Sequence, residues 1–256
     1  MYRRFLFLSV LSALVLPLFA VFALSAPARA QNVALAGFSE VEKIGFAFYH
    51  LSHHKPPFDD WIQAREDYKA ATMRNRLLMT DEQRIRLNEG YLNYFPDRDL
   101  ISLRLRAKIT GEPNPDYKKD IGMQTAGLTH ILHVEFVDLQ EVPYIPVQVG
   151  KLWIGVIPDQ LESVTTHFLT EAEFESLSKL RGFMNSDRPI TVQMMLRPKS
   201  ADAETPLMNK DLPVWLMMAD IGALVFMNQD GSLAWEYAAE WYEYKRASSL
   251  MTLYAK

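Results

Sequence analysis

The chain contains no cysteine. It therefore has no disulfide bridges, no thiolate ligands for a metal and no cysteine to carry a lipoprotein acyl anchor. This absence is no argument against export from the cytoplasm, because a chain of 256 residues can build its own core without cross-links.

Several widespread motifs are missing as well. The sequence has no G-x-S-x-G elbow, no H-E-x-x-H, no phosphate-binding glycine loop and no G-x-G-x-x-G fingerprint. Serine hydrolases and zincins of the common kinds are therefore disfavoured, and no cofactor is predicted. An enzyme need not carry a local motif, so enzymatic function stays open. A non-enzymatic protein is favoured.

The chain also has no excess of basic residues. It contains 27 lysines and arginines and 31 aspartates and glutamates, which gives a net charge of −4. Loss of residues 1–30 removes three arginines and no acid, which moves the net charge to −7. An acidic protein lacks the cationic face that phosphate backbones or anionic lipids require. We expect no nucleic-acid partner and no membrane contact beyond the N-terminal segment.

Residues 1–30 have the pattern of a bacterial export signal. Arg3 and Arg4 precede an apolar run from Phe5 to Ala26, and Ala28-Arg29-Ala30 fits the small-x-small cleavage rule. Cleavage after Ala30 predicts a periplasmic or secreted protein. The alternative is an uncleaved inner-membrane anchor with the rest of the chain facing the periplasm, because the run approaches the ~20 residues that span a bilayer.

The remaining residues, 31–256, are predicted to form a single α+β domain whose helical part covers about 38–99. Ser39 and Glu42 match a capping box at the start of a first helix. A second helix is expected from Phe58, and a third from Thr80 with Gln83. The first helix is expected to bury one face formed by Val41, Ile44, Phe48 and Leu51.

The β-rich part is predicted to cover about 100–256. Apolar and polar residues alternate from Ile101 to Thr110, which is typical of a half-buried strand. Thr170 with Glu173 indicates an inserted helix, 198–211 is expected to be a polar loop, and Asp230-Gly231 predicts a hairpin turn. A mainly antiparallel sheet and a C-terminal helix complete the predicted fold.

The stretch H-L-S-H-H-K-P-P-F-D-D-W, residues 50–61, holds half of the six histidines. On a helix, His50, His53 and His54 share one face and are weak candidates for a metal site. The favoured interpretation is a helix junction without a metal. Cationic residues then complement the carbonyl end of the first helix, and Asp59 and Asp60 complement the amide end of the second.

Asp220 is the weak candidate for a catalytic residue. It lies in the apolar run from Trp215 to Phe226, where a carboxylate is costly to bury without a partner. A buried acid with a raised pKa can act as a general acid or base. The structural alternatives are hydrogen bonds to backbone amides near Gly222, or a pair with a cation of the Arg104–Lys108 strand.

Three other groups of residues have structural explanations that are favoured over functional ones. His130 and His133 point to opposite faces of a strand and cannot share a metal. The methionine pairs 194–195 and 217–218 are expected to fill the core rather than bind copper. Packing of a C-terminal helix is favoured over glycan binding for the aromatic residues Trp235, Tyr237, Trp241, Tyr242, Tyr244 and Tyr254.

These observations favour an exported cell-envelope protein that binds another envelope protein or a small ligand. The alternative is a hydrolase-like enzyme acting on envelope material through Asp220 and a second titratable group. A deep pocket beside Asp220 would favour the enzyme. A flat apolar patch or an unpaired sheet edge would favour the binding protein.

Overall fold

The computed structural model describes residues 35–117, 127–185 and 187–244. The predicted signal peptide lies outside these residues. Within them, no helix combines the length and the apolar character needed to cross a membrane.

The described residues begin with helices and continue as strands with one inserted helix, so the α+β prediction is confirmed. The helices are α1 (Glu40–Leu51), α2 (Phe58–Ala64), α3 (Glu66–Ala70), α4 (Met73–Asn93) and α5 (Glu171–Ser178), and a C-terminal helix is described over 240–244. The strands are β1 (Ile101–Pro113), β2 (Leu128–Phe136), β3 (Ile145–Val149), β4 (Leu152–Asp159), β5 (Thr166–Thr170), β6 (Ile190–Asn209), β7 (Leu212–Met227) and β8 (Leu233–Ala238).

The eight strands form one sheet in the order β3-β4-β7-β6-β1-β2-β5, and β8 pairs with β7. The β4–β7 pair is parallel and the other pairs are antiparallel. On the edge of β7 opposite β6, β4 pairs with residues 214–220 and β8 with residues 223–227. β7 therefore organises the sheet.

The sheet curls until its two sides meet through side chains. The ring of His167 in β5 lies 5.1 Å from the ring of Trp235 and 4.7 Å from that of Tyr237, both in β8. Helix α5 reinforces this closure, because Ser176 Oγ donates to the Ala234 carbonyl at 2.8 Å. The alternating apolar residues of β1 point into the resulting core, as predicted.

From Lys43 to Tyr49, helix α1 is buried on all sides and not along one face as predicted. Every residue from Lys43 to Tyr49 is buried, because β1, β3 and β6 contact one side and aromatic residues of α2 and α4 cover another. The Ser39–Glu42 capping box is present as predicted. Val41, expected in the apolar face, is exposed.

Two predicted element boundaries are wrong. Thr80 does not begin a helix, since it lies inside α4, where its hydroxyl donates to the Arg76 carbonyl at 2.8 Å. Residues 198–211 are not a loop, because β6 continues to Asn209 and pairs with β7. The register of this pair shifts near Pro198 and Pro206, as expected where a proline enters a strand.

Candidate functional site

Among the described residues, the contacts that hold helix α4 to the rest of the protein include those from α1, α2 and the segment before α1. Gly90 packs so closely that a Cβ atom there would lie 2.4 Å from the Phe38 ring. Arg86 donates to Glu42 of α1 at 2.8 Å, and Arg84 donates to Asp59 of α2 at 2.8 Å. These contacts fix which side of α4 faces inward.

Helix α4 carries large apolar residues that remain exposed to solvent. Between 63% and 82% of each residue's surface remains exposed for Met73, Leu77, Leu78, Ile85 and Leu92. Single exposed apolar residues are ordinary on protein surfaces, but several along one helix indicate an interaction surface. We call these five residues the α4 face.

The sequence contained a signal for this surface that the prediction of a helix start at Thr80 concealed. Leu78, Ile85 and Leu92 recur every seven residues, which places them along one line of a continuous helix. Once α4 is seen to run from Met73 to Asn93, that spacing becomes visible.

Acidic side chains border the α4 face. Asp81, Glu82 and Glu89 are exposed and lie between its apolar positions. Asp81 has a carboxylate oxygen 3.5 Å from Arg84, whereas Glu82 and Glu89 form no ion pair within the described part of the chain. The two glutamates are therefore uncompensated charges beside exposed apolar surface.

The three histidines of the stretch 50–61 do not share a helix face. α1 ends at Leu51, so His53 and His54 lie beyond it, and His53 adopts a positive φ of 57°. His50 Nε2 donates to the Tyr91 carbonyl at 2.7 Å, while His54 Nδ1 donates to the Ser52 carbonyl at 2.7 Å. Over the described ranges, no group of three or more His, Cys, Asp or Glu residues is placed to hold a metal.

The helix-junction interpretation of this stretch holds for its acids and not for its cations. Asp59 and Asp60 lie in the first turn of α2, as expected. Their carboxylates also accept bonds from Arg84 and Lys151, so they link α2 to its neighbours. The basic residue in the last turn of α1 is His50. The predicted cations of that turn, His53, His54 and Lys55, lie beyond the end of the helix.

Asp220 pairs with two cations of β6, the strand beside it. Arg197 Nη2 lies 2.6 Å and Lys199 Nζ 3.0 Å from its carboxylate oxygens. Lys199 also reaches Asp159 of β4 at 3.2 Å, and Arg197 lies 4.2 Å above the Trp241 ring centre. The partners come from β6 and not from the Arg104–Lys108 segment of β1 or from backbone amides at Gly222.

These cations also lower the pKa of Asp220. Burial alone would raise the pKa of the carboxyl, but the hydrogen bonds and charges of Arg197 and Lys199 outweigh it and leave the pKa below its ordinary value. A carboxylate held ionised in this way is poorly suited to donate a proton near neutral pH. The geometry is that of a charge network joining β4, β6 and β7.

An open groove of about 560 Å³ lies beside α1, α2, α4 and β3. Its charged lining residues already bind one another or neighbouring acids. Arg65 is bidentate to Asp67, Lys69 contacts Glu66, and Arg86 contacts Glu42. A charged ligand would have to displace these bonds, so the groove is a weaker candidate than the α4 face.

The remaining candidates have structural roles where they are described. His130 stacks on Phe174 of α5 with ring centres 3.8 Å apart, while His133 lies 3.3 Å from Glu112 of β1. Tyr237 belongs to β8 and not to the C-terminal helix, so the predicted helical spacing of the aromatic residues does not begin there. Trp241 packs over Gly222 on β7, and Tyr254 lies outside the described residues.

Met194, Met195 and Met217 are buried, which agrees with core filling, whereas Met218 is exposed and does not fill the core. Comparison with protein-family models, with curated proteins and with solved structures gave no match. The function therefore has to be argued from the residues and their geometry.

Proposed function

We propose that this protein is an exported, non-enzymatic binding protein of the bacterial cell envelope and that it contacts another envelope protein through the α4 face. The exposure of five large apolar side chains along α4, three of them in line at seven-residue spacing, carries the proposal. Folding the chain leaves this surface in water, and covering it with a partner would remove that unfavourable contact.

Export is supported by residues 1–30, whose basic start, apolar run and Ala28-Arg29-Ala30 site form a signal-peptide pattern. The enzyme alternative is not favoured, because Asp220 is held by two cations and has a lowered pKa. A general acid needs the opposite shift, and a carboxylate whose oxygens are bound to two cations is a weak general base.

Site-specific photo-crosslinking in the native cell tests both parts of the proposal. A crosslinking side chain at Leu78, on the α4 face, should yield a specific adduct in the envelope fraction. The same side chain at Glu175, which is exposed on α5, should not. Mass spectrometry of the protein in the adduct should find an N terminus at Gln31.

Each part can fail separately. Adducts at Glu175 and none at Leu78 would overturn the assignment of the surface. Full-length protein in the cytoplasm would overturn export, and full-length protein in the inner membrane would replace cleavage by the anchored alternative.

A further inference from the structure

The α4 face has the shape of a helical ridge rather than a pocket. Leu78, Ile85 and Leu92 are spaced by seven residues along an uninterrupted helix, so they span about 21 Å at 1.5 Å per residue. A seven-residue repeat drifts by only ~20° per repeat around a straight helix. An elongated partner that follows the same line for four turns fits this ridge best.

The charges beside the ridge indicate the chemistry of that partner. Glu82 and Glu89 are exposed on α4 and have no cationic partner among the residues described. The cations Arg84 and Arg86 of the same helix are already bound to Asp59 and Glu42. Arg74 is a further cation of α4 and lies one turn before Leu78. From Leu78 to Leu92, the free charges beside the line of apolar residues are therefore negative among the residues described.

We propose that the partner of α4 is an amphipathic helix of another protein, with apolar residues at seven-residue spacing and lysine or arginine beside them. This proposal rests on the proposed function and specifies its partner. Apolar positions of the two helices would interlock, and flanking cations would face Glu82 and Glu89, as charges select partners in coiled coils.

A second copy of this chain fits less well. An antiparallel pair centred on Ile85 would set Leu78 against Leu92 of the other copy. It would also bring Glu82 beside Glu89 of that copy, and like charges in contact oppose association. A membrane surface fits less well too, because anionic lipid repels the same glutamates.

Two synthetic helical peptides test the partner chemistry. Both carry leucines at seven-residue spacing, and they differ only in lysine or glutamate at the flanking positions. Fluorescence anisotropy with the protein purified from cells should give a micromolar Kd for the lysine peptide, as expected of a small interface. Binding of the glutamate peptide should be at least about tenfold weaker.

Variants of the ridge sharpen the test. Ile85→Asp should weaken binding of the lysine peptide at least about tenfold. The double substitution E82K/E89K should reverse the preference, so that the glutamate peptide binds more tightly than the lysine peptide. The matched control E162K/E175K changes the net charge equally at exposed sites away from α4 and should keep the preference. An unchanged melting temperature would show that Ile85→Asp acts on binding and not on folding, since Ile85 is 63% exposed.

Equal binding of the two peptides, or no binding of either, would overturn this inference. Binding that Ile85→Asp leaves intact would also overturn it. A dimer in analytical ultracentrifugation that Ile85→Asp dissociates would overturn it in favour of a second copy. Failure of the peptides with a retained Leu78 crosslink would reject only the basic-helix partner and leave the proposed function standing.

Discussion

Helices α1 and α4 lie against each other, but they differ in where their apolar side chains lie. Those of α1 are mostly buried, whereas several of α4 are exposed to solvent. Phe46 of α1 is fully buried and packs against Tyr91 of α4, with ring centres 6.2 Å apart. Leu78 and Ile85 of α4 remain mostly exposed. The apolar residues of α1 are explained by folding, whereas those on the outer side of α4 need a cause outside the fold.

The same contrast holds for charge. Glu42 of α1 binds Arg86 and caps its own helix, and Lys43 of α1 binds Glu40 at 2.9 Å. Glu82 and Glu89 of α4 have no such partner within the described residues. Both kinds of unpartnered group lie on the same side of α4, which is why we place the binding surface there.

The largest effect on stability is expected when a buried apolar residue of α1 is truncated, and the matched truncation of an exposed apolar residue of α4 should have little effect. Phe46→Ala should lower the free energy of unfolding by about 3–5 kcal/mol, because a fully buried ring leaves a cavity among Phe38, Phe58 and Trp61. Leu78→Ala should change it by less than about 0.5 kcal/mol. Urea denaturation of both variants measures the difference.

An equally large loss for Leu78→Ala would contradict the comparison. It would mean that another part of the chain covers the α4 face in solution. The surface would then be explained by folding.

A smaller, pH-dependent effect is expected at Glu42. Burial would raise the pKa of this carboxyl, but bonds from Arg86 and Ser39 outweigh it and lower the pKa below its ordinary 4.5. A lowered folded-state pKa contributes stability above the unfolded pKa and loses it as the pH falls through the folded pKa. Glu42→Gln should therefore cost about 1–3 kcal/mol at pH 7 and progressively less below about pH 4.5.

Glu82→Gln on the outer side of α4 is the matched control. Glu82 forms no ion pair within the described residues. Removing its charge should therefore leave the free energy of unfolding unchanged at pH 7 and at pH 3. Denaturation of both variants at the two pH values checks the prediction. A cost for Glu42→Gln that stays constant with pH would mean that hydrogen bonding and not charge holds Glu42.

The sequence predicted those parts of the fold that depend on neighbouring residues. The capping boxes at Ser39 and Thr170 are contacts across three residues, and both are present. The alternation of β1 reports directly which side chains face the core. These signals need no knowledge of the rest of the chain.

The errors arose where distant residues decide the outcome. Residues 198–209 are polar enough to predict a loop, but pairing with β7 supplies their hydrogen bonds and makes them a strand. The partners of Asp220 lie 21 and 23 residues before it, and the β6–β7 register brings them together. Thr80 and Gln83 imitate a helix start, although helix-forming residues before them allow α4 to begin at Met73.

The smallest effect that distinguishes the two helices is expected at their N-caps. Ser39 is part of a complete capping box in which Glu42 Oε2 accepts from Ser39 N at 2.8 Å, whereas Thr72 has a single long bond of 3.5 Å from Asn75 N. Ser39→Ala should lower the free energy of unfolding by about 1 kcal/mol, and Thr72→Ala by less than about 0.5 kcal/mol. Thermal denaturation of the two variants measures both. Equal losses would show that the N-terminal turn of α4 is as firmly fixed as that of α1. The start of α4 would then present Met73 and Leu77 to a partner as a rigid surface rather than one that orders on binding.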